Sequence, residues 1–380
     1  MSSGMSVRIL VDGVIFDTYP HGGIARVYRE LLPRVADQNP EFHFRVVSNS
    51  ASRHVLPVHP RIAGWHFRPW PYRPSRIFSR LNRIRKQRFD EALVNWNPNL
   101  FHSTYYTASP VPNVKTVAMV HDLIDEQYPF FMPNGPTFVS RQAEITRRAD
   151  EVICLSDATA AQAISKFGLD HRKIHIVYHD ASPVFRPTAE DSKAVFRDRY
   201  THGRPFFLFV GSTTSYKNLG SLIRAFGQVR DKTDHWLLLV GHSLKHLEPY
   251  WFDLAISARV EDRITRLIHP DDELLREAYS AADAFVFPSL QEGFGIPLIE
   301  AMRCGTPVVA SDIPVFREIC GAAACYFDPH DPDALARGLL DVIRPGVQEE
   351  LTHLGFERAD GFSWDKAAEQ LGQIYRRLVS

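Results

Sequence analysis

The sequence predicts an α/β protein made of two similar domains, each built around a parallel sheet. Short runs of β-branched and aromatic residues alternate with helical patterns along the chain, which is typical of strand–helix–strand units. Most runs are continuously apolar, as expected of strands that helices cover on both faces. At 380 residues the chain is also too long for one ordinary domain of roughly 150 residues.

Two sets of runs predict strands, separated by a polar and proline-punctuated segment. We place the domain boundary in that segment, near residues 183–204, with at most one short helix there. A helical pattern from Trp364 to Leu378 predicts a last helix. We therefore predict domains over residues 1–190 and 200–362 and a terminal helix within 363–380. The predicted strands are Val7–Asp12, Phe42–Val47, Leu100–Ser103, Thr116–His121, Glu151–Leu155, Ile174–Val177, Phe206–Gly211, Trp236–Gly241, Arg263–Ile268, Ala284–Pro288, Pro307–Ala310 and Cys325–Phe327.

Composition excludes several classes of protein. Lys and Arg total 44, as do Asp and Glu, so no overall field favours nucleic acid. No apolar run approaches the ~20 residues that a membrane-spanning helix needs, and the N-terminal residues do not resemble a secretory signal. The cysteines show no CxxC pair and no zinc-finger spacing, which predicts reduced thiols and a cytoplasmic protein. These cysteines are Cys154, Cys304, Cys320 and Cys325.

Two loops that follow predicted strands are suited to phosphate. Gly22 and Gly23 begin a helical pattern after the first strand, where free backbone N–H groups and the helix dipole favour an anion. An ordinary strand-to-helix turn explains the glycines equally well. In the second domain a small polar loop that starts at Ser212 precedes Lys217, which lies beside the start of a helix. A lysine there opposes the helix dipole, which is easier to explain when an anion binds as well.

The richest segment is residues 287–310, in which a buried strand, a glycine loop and a helix start coincide. The loop reads Glu292-Gly293-Phe294-Gly295, and Pro297 suits the first turn of the following helix. Glu292 and Glu300 lie eight residues apart, and such carboxylates can accept hydrogen bonds from vicinal sugar hydroxyls. Two solvent-exposed glutamates at that spacing by chance are the alternative. The loop lacks the third glycine of a dinucleotide fingerprint, which disfavours a nicotinamide dehydrogenase.

These segments resemble those of the retaining glycosyltransferases of family 4, which carry a Glu–seven residues–Glu motif. The most specific match is EGFGIPLIEAMRCGTPVVASDIPVFREI; GGIARVYREL, LFHSTYY, VHDLID and VGSTTSYKNL match in the family's order and spacing. The resemblance implies the GT-B fold, in which two Rossmann-like domains face each other across a cleft and the C-terminal helix crosses back to the N-terminal domain. The N-terminal domain would then bind the acceptor and the C-terminal domain the nucleotide sugar.

The resemblance also assigns residues to roles. Glu292 would bind donor-sugar hydroxyls, with the backbone of Gly293, Phe294 and Gly295, and Glu300 would bind the ribose. Lys217 and the Gly22–Gly23 loop would contact the diphosphate, Ser212 would be a further donor-binding residue, and His121 would lie near the donor sugar. The catalytic residues would be His121, Glu292 and Lys217. Many members carry an arginine where this chain has Ser212 or Tyr216, so one positive contact to the diphosphate is either missing or supplied elsewhere, for example by Arg26 or Arg141.

The implied function is retaining transfer of a hexose, with mannose from GDP-mannose as the candidate donor. The acceptor would be a saccharide or lipid-linked saccharide in polysaccharide biosynthesis. The resemblance implies no cofactor and no metal, and Asp331-Pro332-Asp333 is interpreted as a helix N-cap rather than a metal site. With no obvious nucleophile, displacement on one face of the sugar is the working hypothesis. A noncatalytic nucleotide-sugar-binding subunit and a GT-B epimerase or hydrolase of sugar nucleotides remain alternatives.

A basic and aromatic segment, residues 61–88, contains nine Lys or Arg and no acidic residue. Ile77, Leu81 and Ile84 predict an apolar helical stripe among cations, which suits an anionic membrane surface. The predicted patch comprises Trp70, Arg76, Arg80 and Arg83. An anionic acceptor, or a helix packed on the first domain with a solvated cationic face, would explain the pattern too. A membrane role would place the protein peripherally at the inner face of the membrane.

Overall fold

The structure is a computed structural model that describes residues 6–20, 22–48, 55–67, 76–124, 135–241 and 249–380. These residues form two compact units. The first takes the residues up to Leu123, residues 135 to His179 and the last segment, Ser363–Ser380, and the second takes Asp180–Phe362. The polar segment in which the sequence places a boundary contains one helix, Glu190–Thr201, and this helix lies in the second unit.

Each unit is built around a parallel sheet. Within the described residues, the first sheet has seven strands in the order β3-β2-β1-β4-β5-β6-β7, and the second has six in the order β10-β9-β8-β11-β12-β13. In both, the order reverses beside the unit's first strand, at β1 and β4 and at β8 and β11. The strands are β1 (Val7–Asp12), β2 (Phe42–Ser48), β3 (Ile62–His66), β4 (Leu100–Ser103), β5 (Lys115–Val120), β6 (Glu151–Cys154), β7 (Ile174–Ile176), β8 (Phe206–Val210), β9 (Trp236–Val240), β10 (Ile264–Leu267), β11 (Ala284–Phe287), β12 (Val308–Ser311) and β13 (Ala324–Phe327).

Helices connect the strands, as parallel pairing requires. α1 to α5 and α14 belong to the first unit and α6 to α13 to the second. They are α1 (Val14–Thr18), α2 (Gly23–Gln38), α3 (Arg76–Asn95), α4 (Gly135–Arg148), α5 (Asp157–Phe167), α6 (Glu190–Thr201), α7 (Leu219–Val229), α8 (Pro249–Ser257), α9 (Asp272–Ala281), α10 (Ile296–Arg303), α11 (Pro314–Cys320), α12 (Pro332–Val342), α13 (Pro345–Ala359) and α14 (Trp364–Val379).

Local sequence explains several helix ends. Ser156 accepts a hydrogen bond from the backbone N–H of Thr159 at the start of α5, and Gly168 ends that helix with φ +64°. Ser363 caps α14 in the same way by accepting from Lys366 N–H. The buried stripe of α14 ends in Tyr375, whose ring packs against Phe42 and Phe44 of β2. The last helix therefore completes the core of the first unit.

All predicted strands form, two with the predicted bounds and the others with ends that differ by one residue. One strand was missed, since β3 lies inside the basic and aromatic segment. It pairs with β2 at the edge of the first sheet, and none of its five residues is buried. An edge strand of this kind lacks the continuous apolar run of a central strand, so its pattern resembles a loop. The four cysteines are free thiols, as predicted.

Candidate active site

The carboxyl edge of the second sheet brings the predicted donor-site residues together. β8 and β11 are hydrogen-bonded neighbours at the point where strand order reverses, which is where ligands of such sheets bind. The loop after β8 leads through a short 3-10 turn, Ser215–Lys217, into α7. The loop after β11 carries Glu292 and leads into α10. Both loops therefore project from the same edge of the sheet.

Lys217 and Glu292 form an ion pair across these two loops. Lys217 Nζ lies 2.5 Å from Glu292 Oε1, and the two side chains are only 13% and 11% exposed. The ammonium group also lies 5.0 Å from the ring centre of Phe287 and 5.3 Å from that of Tyr216. In such a partly desolvated setting the pair is strengthened by the reduced screening of water. The two residues whose charges the resemblance assigns to the donor therefore pair with each other in this structure.

The glycine loop adopts a backbone that depends on Gly295. Gly295 has φ +104° and precedes α10, and a Cβ atom there would lie 2.9 Å from Leu298 Cδ1. Glycine is the residue that tolerates this region and this contact. Pro297 occupies the first turn of α10, and the ring of Phe294 is buried edge-to-face against Phe362. The N-terminus of α10 is thereby held at the edge of the sheet, where the positive end of the helix dipole favours an anion.

Glu300 lies on α10 and is buried, with 4% of its surface exposed. Tyr279 of α9 donates a hydrogen bond from its hydroxyl group to Glu300 Oε2 at 3.0 Å. This hydrogen bond fixes the direction of the carboxylate. A carboxylate that accepts a hydrogen bond from a ligand hydroxyl needs such a fixed direction. Tyr279 was not among the predicted site residues, because its position in the pattern of α9 is that of an ordinary core residue.

Ser212 lies in the small polar loop after β8, with its Oγ 2.7 Å from Thr214 Oγ1. Tyr216, at a position where the resemblance predicts an arginine, is uncharged. Its ring lies beside the ammonium group of Lys217. Arg26 and Arg141 both lie in the first unit, on α2 and α4. A role for either arginine at the diphosphate remains a prediction.

The predicted residues of the first unit lie at the carboxyl edge of its own sheet. Gly22 is the N-cap of α2, and a Cβ atom on Gly23 would meet nothing within 4 Å, so Gly23 is not required by packing. His121 follows β5 directly and is 5% exposed. Its Nε2 lies 3.1 Å from the carbonyl oxygen of Thr104. Burial lowers the pKa of His121 to about 4, so the imidazole is neutral at neutral pH.

The predicted membrane or acceptor patch is described only in part. Trp70 and the side chain of Arg76 lie outside the described residues. Arg80 and Arg83 of α3 are exposed, and between and beside them Leu81 and Ile84 are 38% and 39% exposed. Further along the helix, Phe89 packs on Trp65 of β3. The C-terminal half of α3 is thus anchored to the unit, while residues 80–84 present apolar and cationic groups to solvent.

Asp331 is the N-cap of α12, as predicted, and accepts hydrogen bonds from the backbone N–H groups of Asp333 and Ala334. Among the described residues, no group of three or more His, Cys, Asp or Glu side chains is arranged to hold a metal ion. In the same part of the chain, no helix combines the length and apolar character that crossing a bilayer requires.

Two family models match the chain and together cover most of it. One, described as Glycosyltransferase Family 4, matches residues 21–179, and the other, described as Glycosyl transferases group 1, matches residues 192–354. The chain therefore belongs to the family 4 type of glycosyltransferases. The first match contains Gly22, Gly23 and His121, and the second contains Lys217, Glu292 and Glu300.

Similar proteins agree with this assignment. O-antigen chain mannosyltransferase B of Escherichia coli is 33% identical over 176 residues, which are 46% of this chain and 46% of that protein. Serotype-specific mannosyltransferase WbdA of Escherichia coli is 26% identical over an alignment of 409 positions. The alignment covers 98% of this chain and 45% of that protein. The match spans less than half the length of each of these relatives.

Among solved structures, sucrose-phosphate synthase from Thermosynechococcus elongatus superposes on this chain with a TM-score of 0.78. The two are 24% identical, and the superposition covers 98% of this chain and 99% of that one. This likeness concerns the fold. With the two parallel sheets, it confirms the predicted α/β fold of the GT-B class.

Proposed function

We propose that this protein is a glycosyltransferase that moves a hexose from a nucleoside-diphosphate sugar to a saccharide acceptor in glycan biosynthesis. The observation that carries the proposal is the Lys217–Glu292 pair at the carboxyl edge of the second sheet. A donor offers both charges new partners. Its diphosphate would form an ion pair with the ammonium group of Lys217. A hydroxyl group of its sugar would donate a hydrogen bond to the carboxylate of Glu292.

The rest of the edge supports binding of the nucleotide part. Glu300, aligned by Tyr279, would accept hydrogen bonds from two ribose hydroxyls. The N–H groups at the start of α10, beside Gly293 and Gly295, would contact the diphosphate or the sugar. Ser212 and its neighbours would line the diphosphate from the other loop.

We propose that the reaction needs no metal and retains the anomeric configuration. The bond between sugar C1 and the phosphate oxygen breaks, a bond from C1 to the acceptor oxygen forms, and the acceptor proton passes to the leaving diphosphate. Lys217 and the helix N-termini would stabilise the negative charge that grows on that leaving group. The bond that breaks and the bond that forms would lie on the same face of the sugar. The reaction would pass through an oxocarbenium-like state.

Mannose is the proposed hexose and GDP-mannose the proposed donor, because relatives of this chain are named as O-antigen and serotype-specific mannosyltransferases. The proposed acceptor is a saccharide or lipid-linked saccharide. Thermal-shift screening against GDP-, UDP-, dTDP- and ADP-sugars identifies the donor first, because a ligand that binds only the folded state raises the melting temperature.

Transfer is then tested with labelled donor and a panel of saccharide acceptors. Glu292→Gln should abolish transfer and leave the fold intact, while Glu357→Gln, which changes an exposed glutamate of α13, should behave as wild type. Full activity of Glu292→Gln would refute the site. Labelled donor without acceptor separates the alternatives: free hexose indicates a hydrolase, an isomeric donor an epimerase, and binding without any product a noncatalytic subunit.

We also propose that the N-terminal half of α3 binds an anionic membrane surface. The exposure of Leu81 and Ile84 beside Arg80 and Arg83 supports this, since apolar insertion and phosphate attraction would act together. Liposome flotation with and without acidic lipid tests it. Leu81→Ser with Ile84→Ser should reduce flotation, whereas Val195→Ser, at an exposed valine of α6, should not. No flotation with acidic lipid at low salt would exclude a membrane role.

A further inference from the structure

Four buried side chains of the first unit form one hydrogen-bonded chain that ends at His121. Tyr375 Oη of α14 lies 2.7 Å from His102 Nδ1, and His102 Nε2 of β4 lies 3.2 Å from Tyr28 Oη of α2. Tyr28 Oη lies in turn 3.4 Å from His121 Nε2. Tyr28, His102 and Tyr375 are fully buried. Two helices and two strand ends therefore meet through their polar atoms inside the core.

The partners of His121 determine which of its nitrogens carries the proton. A carbonyl oxygen can only accept a hydrogen bond, so the 3.1 Å contact with Thr104 O requires an N–H at His121 Nε2. Because burial keeps the ring neutral, the other nitrogen, Nδ1, has no proton. The nearby Tyr28 hydroxyl then acts as a second, weaker acceptor for the Nε2 proton.

The same reasoning orients His102. Within the described residues, the only hydrogen-bond partner of the Tyr375 hydroxyl is His102 Nδ1, so Tyr375 donates its proton there. Burial lowers the pKa of His102 to about 3, and the neutral ring must carry its proton on Nε2, facing Tyr28 Oη. The Tyr28 hydroxyl directs its own proton to Met119 Sδ at 3.5 Å. Tyr28 Oη thus accepts hydrogen bonds from both imidazoles.

One acceptor in this network stays unused. His121 Nδ1 is buried and has no hydrogen-bond partner among the described residues. A buried polar atom without a partner costs free energy, so natural structures rarely retain one without a use. His121 lies just past the carboxyl end of β5, the edge at which ligands of a parallel sheet bind.

We propose that Tyr28, held by His102 and Tyr375, is a positioning residue that supports the Thr104 carbonyl oxygen in fixing the ring of His121 in its Nε2–H form, so that His121 Nδ1 accepts a hydrogen bond from a hydroxyl group of the substrate. This inference rests on the proposed function, because the hydroxyl group is that of a sugar substrate. It adds a fixed tautomer and three supporting residues to the role of His121.

The tautomers are measured directly, without turnover, by long-range ¹H–¹⁵N correlation spectra of protein labelled with ¹⁵N-histidine at neutral pH. The signals lost in His121→Gln identify His121. We expect an unprotonated Nδ1 and a protonated Nε2 in the wild type, and a shifted Nε2 signal of His121 in Tyr28→Phe, in which the Thr104 carbonyl oxygen still holds the tautomer. A protonated Nδ1 in the wild type would overturn the proposal, as would an unchanged His121 spectrum in Tyr28→Phe.

Activity supplies the second readout. Tyr28→Phe should lower kcat/KM for the donor roughly five- to ten-fold, as expected for loss of one hydrogen bond that holds a reacting group. Tyr326→Phe is the matched control: it removes a hydroxyl that is hydrogen-bonded to Gly321 O in the second unit, and it should leave kcat/KM unchanged. Equal losses in both variants would show a general structural effect and refute positioning. If no sugar nucleotide supports transfer, the proposed function fails, and the wild-type and Tyr28→Phe spectra still decide the tautomer and the contact of His121 with Tyr28.

Discussion

Arg303, in the last turn of α10, forms a two-pronged ion pair with Asp180. Arg303 Nε lies 3.0 Å from Asp180 Oδ1, and Nη2 lies 2.9 Å from Oδ2. The same Nη2 also donates to the backbone oxygens of Ala359 and Phe362 at 3.3 Å. The helix that carries Glu300 is therefore tied to both ends of the second unit, at the residues where the chain enters it and leaves it.

Removing this arginine should destabilise the protein markedly. Arg303→Met removes the cation that is paired with the largely buried carboxylate of Asp180, which should lower the free energy of unfolding by about 2 kcal/mol. Arg317→Met is the matched control, because Arg317 makes the same two-pronged contact with Asp312 on the surface. It should cost less than about 1 kcal/mol. Urea unfolding measures both, and equal losses would contradict the role of burial.

The Lys217–Glu292 pair should show energetic coupling. Lys217→Met and Glu292→Gln each remove one charge of the pair and leave the opposite charge poorly solvated, whereas the double variant removes both charges. A double-mutant cycle in thermal or urea unfolding should therefore give a coupling free energy of about 1–2 kcal/mol. Strictly additive effects would mean that the pair does not form in solution. Lys217→Met should in addition weaken donor binding, measured by calorimetry, because it removes a cation from the proposed diphosphate site.

Gly295 should not tolerate a side chain. Gly295→Ala forces alanine into a left-handed conformation and against Leu298 Cδ1, which should cost about 2 kcal/mol of stability. It should also weaken donor binding, because the loop and the N-terminus of α10 would shift. Gly346→Ala in the first turn of α13 is the control, since its Cβ atom meets nothing within 4 Å. That change should be neutral or stabilise by up to about 1 kcal/mol.

Stability should fall as the pH falls below the ordinary pKa of histidine. Burial lowers the folded-state pKa of His102 and His179 to about 3 and that of His121 to about 4. Below about pH 6.5 these histidines bind protons in the unfolded chain but stay neutral in the folded chain. Each of them therefore lowers the free energy of unfolding by roughly 1 kcal/mol per pH unit, down to its folded-state pKa. Above pH 6.5 these groups contribute no pH dependence.

Urea unfolding at pH 7 and pH 5.5 checks this slope. His102→Gln should unfold with a shallower dependence on pH than the wild type, although it is less stable at pH 7. His353→Gln, at an exposed histidine of α13, should leave the slope unchanged. A wild-type protein whose unfolding free energy is constant between pH 7 and pH 5.5 would contradict the buried neutral histidines.

The fold class, the central strands and the loops of the candidate site could be predicted from the amino-acid sequence. Continuous apolar runs mark central strands because burial on both faces is a local property of each run. The glycine loop before α10 and the placement of Lys217 could be predicted for the same reason, since backbone conformation and helix ends depend on neighbouring residues. The edge strand β3 was missed because none of its residues is fully buried, so it has no continuous apolar run.

The contacts between side chains that are distant in sequence follow from the tertiary structure alone. Lys217 and Glu292 are 75 residues apart, and their contact follows from the adjacency of β8 and β11. Tyr279 on Glu300 and Tyr28 between His102 and His121 likewise depend on strand order and helix packing. No local pattern encodes these contacts, because a buried tyrosine in an apolar stripe has the same spacing whether its hydroxyl group aligns a site or only completes a core.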